Sequence, residues 1–211
     1  MRPPSLVVFD LDNCCWDPEM YQMSSGSPFT HDPAENTCKS SRGEIVRLMG
    51  DVPHIWGLLR WKGGDFRSYL ESFPDSCGKE KKLLGSLGDE VLSLTFTSTK
   101  IAIASCCDEP GWAKELLQKF NIGPPSANPR RRETMADAVS YVQIHYGAKT
   151  QHFKEIESAS KVPLEDMFFF DDQSGHIRNV GKMGVTAVQT PYDGVTWELF
   201  LTALQSYNKG R

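Results

Sequence analysis

The sequence predicts a doubly wound α/β fold, in which helices cover both faces of one parallel sheet. The short apolar runs Leu6–Phe9, Lys100–Ala104 and Met167–Phe170 are typical of strands that are buried on both faces. Segments with helical spacing, such as Lys149–Lys161 and Trp197–Tyr207, separate or follow these runs. Strands that alternate with helices along a chain indicate a parallel sheet.

The remaining elements are predicted from periodicity and from helix-terminating residues. Two prolines stand at first-turn positions, and each favours a helix that begins beside it. Asp108 is the predicted N-cap of the second of these helices. Further helices are expected at Val52–Leu59, Pro110–Phe120 and Ile177–Met183, with one ending in Val91–Thr97, and further strands at Ser140–Tyr146 and Val185–Gln189.

Length and composition indicate one domain. The chain has 211 residues, of which 39% are hydrophobic and 24% charged, as in ordinary globular proteins. Two segments interrupt the α/β pattern. Residues 16–42 are predicted to form a loop or flap with a short hairpin, and residues 60–88 an insertion of one or two short helices, with Phe66, Tyr69 and Phe73 packed inward.

Charge and hydropathy exclude several function classes. A net charge of −4 gives no electrostatic reason to expect nucleic-acid or membrane binding, and the basic run Arg130–Arg132 is interpreted as a solvated loop. No signal peptide and no apolar stretch of membrane-spanning length is found. We therefore expect a cytoplasmic protein with six reduced cysteines, which lack the CxxC spacing of zinc sites.

Carboxylates follow two of the buried strands. Asp10 and Asp12 come after the first strand, and Asp171 and Asp172 after the strand that begins at Met167. Ligands of open α/β sheets bind outside the carboxyl ends of the strands, so these four side chains should converge at one rim. Four converging carboxylates need a cation, and hard oxygen ligands favour Mg²⁺.

The types of residue at this rim suit phosphoryl transfer. One carboxylate of the Asp10/Asp12 pair can attack phosphorus, while the other moves a proton to and from the leaving oxygen. Ser105 follows the second strand and can donate its hydroxyl and backbone N–H groups to a phosphoryl oxygen. Lys149 adds its charge to the positive end of the helix that it opens.

The segments VVFDLDNCCW, IAIAS, GAKTQHF and MFFFDD resemble the four motifs of the haloacid dehalogenase superfamily. They are most similar to its small magnesium-dependent phosphatases, whose first motif reads FDLDxTLW. The resemblance implies a Rossmann-like sheet without a large cap domain. It also implies that Asp10 is the nucleophile, that Asp12 is the general acid/base, and that Ser105 and Lys149 bind phosphate.

The resemblance further implies a Mg²⁺ site formed by Asp10, Asp12, Asp171 and Asp172, with Asp12 contributing its carbonyl. The expected activity is hydrolysis of phosphomonoesters through an aspartyl-phosphate. Without a large cap, the open site suits a phosphorylated small molecule or protein, including phosphotyrosine or sugar phosphates.

Several residues depart from the family pattern. Cys14 replaces a threonine, Cys15 replaces an aliphatic residue, and His176 stands where related sequences often carry asparagine. His176 could hydrogen-bond the metal shell, ligate a softer metal or face solvent. Cys106-Cys107 replaces Arg-Thr, and its thiols are either buried filler or partners of the first cysteine pair in a regulatory disulfide.

These departures leave open a second hypothesis, a weak or inactive phosphate-binding pseudo-phosphatase under redox control. Two other classes fit less well. A receiver domain places its acid pair early and its phosphorylated aspartate on a later strand, the reverse of the order here. Haloacid dehalogenation needs no metal, whereas this acidic rim calls for one.

Overall fold

The structure is a computed structural model and describes residues 1–125 and 132–209. Nine strands lie in these residues: β1 (Leu6–Phe9), β2 (Trp16–Asp17), β3 (Thr30–Asp32), β4 (Thr37–Lys39), β5 (Ile45–Leu48), β6 (Lys100–Ser105), β7 (Val139–Ile144), β8 (Met167–Asp171) and β9 (Thr186–Gln189). The main sheet is parallel, with the strand order β7-β6-β1-β8-β9. The predicted parallel α/β sheet is therefore confirmed.

Helices cover both faces of this sheet. The described helices are α1 (Val52–Arg60), α2 (Phe66–Glu71), α3 (Gly78–Ser86), α4 (Asp89–Leu92), α5 (Pro110–Lys119), α6 (Met135–Ala138), α7 (Lys149–Ser160), α8 (Ser174–Gly181) and α9 (Trp197–Lys209). Alternate residues of β1 enter two separate cores. Phe9 packs with α1 and α9 on one face, whereas Val8 packs with α7 and α8 on the other. The fold is thus doubly wound, and residues 1–125 and 132–209 contain no large cap domain.

The register of the central strands places the acidic residues at the same level. Phe9 of β1 pairs with Ile103 of β6 on one side and with Phe170 of β8 on the other. Asp10 and Asp171 are each one residue beyond this paired row. Both carboxylates therefore emerge together at the carboxyl rim of the sheet.

The flap segment contains more regular structure than the sequence predicts. Strands β2, β5, β4 and β3 form, in that order, a second sheet whose pairs are antiparallel, and β3–β4 is the expected hairpin. Glu44 supports it by accepting hydrogen bonds from the backbone N–H groups of Ser24 and Ser25. Strands of two to four residues carry too little periodicity to be recognised in sequence.

The insertion forms α2 and α3, as predicted, and packs against the C-terminal helix α9. Its aromatic residues Phe66, Tyr69 and Phe73 are buried. Trp197 of α9 connects the two regions, because its indole N–H donates to Glu80 of α3 at 3.1 Å. Its backbone N–H donates to Asp51, which precedes α1, at 2.8 Å. The insertion is therefore part of the packed fold.

Some predicted boundaries differ from the structure. The residue that precedes α5 is Glu109, so the prediction of Asp108 as its N-cap was wrong; no side chain caps this helix. Helix α4 ends at Leu92, well before the predicted Thr97. Of the basic run, Arg130 and Arg131 lie outside the described residues. Among the residues described, we find no helix with the length and apolar character needed to cross a membrane.

We predict that Phe168→Ala destabilises the fold without touching the rim. Phe168 is buried, and its ring centre lies 5.1 Å from that of Tyr207. Truncating such a side chain should lower the free energy of unfolding by about 3–5 kcal/mol. The matched variant Tyr146→Ala removes a ring that is 92% exposed and should change it by less than about 0.5 kcal/mol. Chemical denaturation measures both, and similar values would contradict the packing described here.

Candidate active site

The acidic residues converge at the carboxyl rim of the main sheet. Oxygen atoms of Asp10, Asp171 and Asp172 all lie within 4.8 Å of one another. Beside them is a cavity of about 150 Å³, here called the rim pocket. Its lining residues are Asp10, Asp12, Glu19, Tyr21, Ser105, Cys106, Cys107, Asp108, Asp172, Gln173 and His176.

Lys149 is buried between two of these carboxylates. Its Nζ atom lies 2.7 Å from Oδ1 of Asp10 and 2.8 Å from Oδ2 of Asp171, and it donates to the carbonyl of Ala104 at 2.6 Å. Burial lowers the pKa of Lys149, but the two carboxylates outweigh burial and raise it. The side chain is therefore a fixed positive charge at the base of the site.

One ammonium group cannot neutralise three neighbouring carboxylates. Burial favours the neutral form of Asp171, but the hydrogen bond from His176 and the charge of Lys149 outweigh it and lower the pKa. Burial raises the pKa of Asp10, which Lys149 offsets only in part. Burial and the charges of Asp10 and Asp171 raise the pKa of Asp172 to about 6. Two negative charges remain when all three carboxylates ionise, and this oxygen set fits a hard divalent cation.

Asp12 lies in a different environment from Asp10. Its carboxylate accepts hydrogen bonds from the indole N–H of Trp16 at 2.7 Å and from the backbone N–H of Met20 at 3.3 Å. Burial raises its pKa to about 6. This carboxyl group can therefore exchange a proton near neutral pH, which is what general acid/base chemistry requires.

Ser105 is buried at the end of β6 and contributes its hydroxyl group to the rim pocket. The hydroxyl oxygen accepts a hydrogen bond from the backbone N–H of Cys107 at 3.2 Å. Its own O–H group can donate to an oxygen atom of a ligand in the pocket. The structure thus brings Ser105 to the same pocket as Asp10, Asp12 and Asp172.

His176 makes one of the contacts considered for it in the sequence. Its Nδ1 atom lies 3.1 Å from both carboxylate oxygens of Asp171. His176 therefore hydrogen-bonds a carboxylate of the candidate metal site. Of the three alternatives, which were hydrogen bonding, ligation of a softer metal and exposure to solvent, the structure shows the first.

Other residues of the rim pocket were missed by the sequence reasoning. Glu19 and Tyr21 come from the flap, and Gln173 precedes α8. Trp16 is fully buried, and its indole N–H donates to Asp12. The position of the flap depends on contacts between distant segments, so no local signal identified these residues.

Two thiols near the site, those of Cys14 and Cys106, donate to backbone carbonyl groups. Cys14 Sγ lies 3.4 Å from the carbonyl oxygen of Phe170, and Cys106 Sγ lies 3.2 Å from that of Gly147; each thiol is the donor. Burial raises the pKa of Cys14, Cys106 and Cys107. Because the thiolate is the reactive form, burial makes these cysteines poor nucleophiles. All six cysteines are free.

The fold and the rim together define a phosphatase of the haloacid dehalogenase type. Residues 2–210 match the sequence model of the family described as Acid Phosphatase. The chain belongs to this family.

Individual relatives agree with this assignment. The chain is 26% identical over 210 residues to "Magnesium-dependent phosphatase 1" of Homo sapiens, an alignment that covers 100% of this chain and 90% of the human protein. It is 30% identical over 115 residues to a "HAD-like hydrolase superfamily protein" of Schizosaccharomyces pombe, covering 54% of this chain and 64% of the yeast protein.

Solved structures show weaker similarity. The N-terminal part of a Bacteroides fragilis protein, described as containing a phosphatase domain complexed with Mg, has a TM-score of 0.48 and 19% identity over 96% of this chain and 40% of that one. A HAD-superfamily hydrolase from Ehrlichia chaffeensis has a TM-score of 0.47 and 11% identity over 99% and 98% of the two chains.

We predict that Lys149→Met destabilises the protein more at pH 7.5 than at pH 5. The variant leaves Asp10 and Asp171 as buried charges without their cation, which should cost about 3–5 kcal/mol of unfolding free energy. The cost is present where both carboxylates ionise and falls as acid neutralises them. Lys154→Met, at an exposed position of the same helix, is the control and should have little effect. Equal stabilities of the two variants at pH 7.5 would contradict this account.

His152 lies one turn after Lys149 and is fully buried. Among the described residues, neither of its ring nitrogens has a hydrogen-bond partner of good geometry. Its ring centre is 4.2 Å from that of His145. Burial, with the charges of His145 and Lys149, lowers the pKa of His152 to about 4. This histidine is therefore neutral in the folded protein above that pH.

We predict that His152 makes the fold sensitive to acid. Its pKa is lower in the folded state than in the unfolded state, so its contribution to stability is complete above about pH 6.5 and is lost as the pH falls toward 4. Between pH 7 and pH 5, protonation of His152 in the unfolded state should lower the free energy of unfolding of the native protein by about 2 kcal/mol. In the His152→Leu variant this part of the decrease should be absent. The control variant Ser158→Ala, on the same helix, should keep the full decrease in unfolding free energy. Parallel curves of unfolding free energy against pH for the native and His152→Leu proteins would contradict the prediction.

Proposed function

We propose that this chain is a magnesium-dependent phosphomonoester hydrolase that acts through an aspartyl-phosphate on Asp10. The observation that carries the proposal is the Asp10 carboxylate, which lines the rim pocket 2.7 Å from the buried ammonium group of Lys149 and beside two further carboxylates. A positive charge fixes the nucleophile in place, and the pocket in front of it is open to a substrate.

Asp10, Asp171 and Asp172 would hold the Mg²⁺ ion, with Asp12 adjacent to them. Their oxygen atoms are hard ligands, and their excess negative charge matches a divalent cation. The human relative is named as a magnesium-dependent phosphatase. When bound, Mg²⁺ neutralises charge so that an anionic carboxylate can approach an anionic ester.

In the first chemical step, a carboxylate oxygen of Asp10 forms a bond to phosphorus while the bond to the leaving oxygen breaks. Asp12 donates its proton to that oxygen, which its raised pKa of about 6 permits near neutral pH. The Ser105 hydroxyl group donates a hydrogen bond to a phosphoryl oxygen. Lys149 holds Asp10 in line and offsets the negative charge that gathers at the pocket.

In the second step, water cleaves the aspartyl-phosphate. Asp12, now ionised, takes a proton from that water as the water attacks phosphorus, and Asp10 leaves as a carboxylate. The same side chain thus acts first as acid and then as base, so its hydrogen bonds from Trp16 and Met20 must hold it in one place through both steps.

The substrate in this proposal is a phosphorylated small molecule or protein, with phosphotyrosine and sugar phosphates as the candidate classes. The rim pocket has no large cap over it, so bulky esters can reach Asp10. In the proposal, residues 1–211 act as one domain, in which the flap holds Asp12. Cytoplasmic location stays a prediction from the sequence.

The second candidate, an inactive phosphate-binding protein, is not favoured. It depends on Cys14 and His176, and both residues make contacts that maintain the site. Cys14 bonds to the backbone of β8, and His176 holds Asp171. The raised pKa values of the nearby thiols also weaken the case for redox control.

We predict that Asp10→Asn abolishes hydrolysis of p-nitrophenyl phosphate, with a loss on the order of a thousandfold or more in kcat. The amide is isosteric with the carboxylate but cannot attack phosphorus. Asp75→Asn changes an exposed aspartate outside the rim and should keep full activity. Removing Mg²⁺ with EDTA should abolish the activity of the native enzyme, and adding Mg²⁺ should restore that activity. Hydrolysis of p-nitrophenyl phosphate by a correctly folded Asp10→Asn protein would contradict the proposal.

The covalent step has its own test. Acid quenching of the native enzyme during turnover, followed by peptide mass spectrometry, should find one phosphoryl group on the peptide that contains Asp10. The Asp10→Asn protein should carry none. If substrate is turned over but no phosphorylated Asp10 peptide is found, even at the shortest quench times, direct attack by water would be favoured.

A further inference from the structure

The rim pocket carries two acidic side chains that the proposed chemistry does not use. Of the described residues that line it, five are carboxylic acids and none is a lysine or an arginine. Asp10 and Asp172 belong to the candidate metal site, and Asp12 enters the proposed reaction with its proton. Glu19, from the flap, and Asp108, from the loop after β6, have no role in that reaction. We call Glu19 and Asp108 the mouth acids.

The candidate metal site does not compensate the charge of the mouth acids. When its three carboxylates are ionised, Lys149 and a bound divalent cation together balance them, and the site as a whole is neutral. The basic ring that lines the pocket, His176, is engaged by Asp171, with Nδ1 lying 3.1 Å from both of its oxygen atoms. The negative charges of the mouth acids therefore remain over at the pocket, even with the metal in place.

Glu19 is held at the pocket by hydrogen bonds on both sides. The side-chain N–H of Asn13 donates to the Glu19 carboxylate, and the backbone N–H of Gln22 donates to the Glu19 carbonyl at 3.0 Å. The next residue, Met20, donates its backbone N–H to the carboxylate of Asp12 at 3.3 Å. The turn that carries Glu19 is thus anchored to the proposed proton donor, so the acid keeps a defined place beside the reacting group.

The mouth acids act on one another without a cation between them. Burial raises the pKa of Glu19, the hydrogen bond from Asn13 opposes burial, and the charges of Asp10 and Asp108 raise it further. Within residues 1–125 and 132–209, neither mouth acid forms an ion pair. A positive charge placed at the pocket mouth would have two attractive partners there and would relieve their mutual repulsion.

Tyr21 adds an aromatic surface to the same mouth. Its side chain lines the rim pocket and is 62% exposed. It lies in the single 3₁₀ turn Met20–Gln22, directly after Glu19. The face of an aromatic ring attracts an ammonium group, and this attraction adds to that of a neighbouring carboxylate. An exposed ring beside two carboxylates is a surface that favours a cation.

The residue after Ser105 contributes no positive charge. Sequences that this chain resembles carry arginine there, and Cys106 replaces it. The Cys106 thiol donates to the carbonyl of Gly147 at 3.2 Å, and burial raises its pKa, so the side chain is neutral. A leaving group that carries a carboxylate or a second phosphate would meet the mouth acids without a lysine or arginine among the described lining residues to offset them.

The size of the rim pocket limits where the positive charge of a ligand can lie. Its volume is about 150 Å³, whereas pockets for larger small molecules usually measure about 300–1,000 Å³. The mouth acids line the same small cavity as Asp10, the proposed nucleophile. A cation that reaches them while the phosphoryl group contacts Asp10 must therefore be joined to the ester oxygen by a short carbon chain.

We propose that Glu19, Asp108 and Tyr21 select phosphomonoesters whose leaving group carries an ammonium group close to the ester oxygen, as in the phosphate esters of small amino alcohols. This inference rests on the proposed function and specifies the leaving group that the site takes. The three residues determine specificity and take no part in bond formation or cleavage.

Binding tests the proposal without requiring turnover. In an Asp10→Asn background with Mg²⁺, calorimetry should show that phosphoethanolamine binds about tenfold more tightly than propyl phosphate, in which a methyl group replaces the ammonium group. Adding Glu19→Gln, which keeps an acceptor for Asn13, should reduce this preference about threefold, and Asp108→Asn should act in the same direction. Equal affinities for the two esters would overturn the proposal.

Two controls separate the charge of the mouth acids from a structural effect. Glu35→Gln removes the same charge from an exposed position of the flap outside the rim pocket and should leave the preference unchanged. Raising the ionic strength from about 0.01 M to 1 M shortens the screening length from about 30 Å to 3 Å and should remove most of the preference. A preference that is insensitive to both salt and Glu19→Gln would contradict selection by charge.

Kinetics separate this proposal from the proposed function. Glu19→Gln should lower the ratio of kcat/KM for phosphoethanolamine to that for propyl phosphate about threefold, and it should improve turnover of the anionic ester phosphoglycolate. A native protein that hydrolyses none of these esters, yet shows the binding differences above, would overturn the function and keep the selectivity. Hydrolysis with the same ratio in the native, Glu19→Gln and Asp108→Asn proteins would overturn the selectivity and keep the function.

Discussion

The burial of one lysine between two aspartates is the constraint on which the site depends. Lys149 is almost inaccessible to solvent, and a buried ammonium group is tolerated only where counter-charges and acceptors surround it. Asp10, Asp171 and the carbonyl of Ala104 provide these from three adjacent strands. The same contacts that stabilise the lysine fix Asp10, the proposed nucleophile, so the charge balance of the core and the geometry of the site cannot be changed independently.

The main sheet makes this arrangement possible through its register. Because Phe9, Ile103 and Phe170 lie in one row, the next residues of β1 and β8 are both aspartates at the same height. The aromatic residues of that row are packed on α1 and α9, with the ring centres of Phe9 and Trp56 5.2 Å apart. A slip of one residue would turn these rings to the opposite face of the sheet, which a separate core occupies, so hydrophobic packing also holds the carboxylates in alignment.

Much of this arrangement could be predicted from the sequence, since it is local. Continuous apolar runs identified the strands, and the aspartates that follow them identified the rim, because the carboxyl ends of parallel strands share an edge. The second sheet could not be predicted, since its strands are short and their pairing joins distant residues. Glu19 and Tyr21 reach the rim pocket from the segment that follows β2, so their place in the site could not be predicted from the sequence either.

The hydrogen bond between Trp16 and Asp12 has a consequence for how activity is acquired during folding. Trp16 begins the antiparallel sheet, whereas Asp12 follows the central strand of the parallel one. Asp12, the proposed proton donor, therefore receives this hydrogen bond only when two separately paired sheets have both formed. A chain with a complete parallel core but an open flap would keep Asp10, the proposed nucleophile, in place and would leave Asp12 without its bond from Trp16. Under the proposed mechanism, such a chain would still bind phosphate but would be slow to release a poor leaving group.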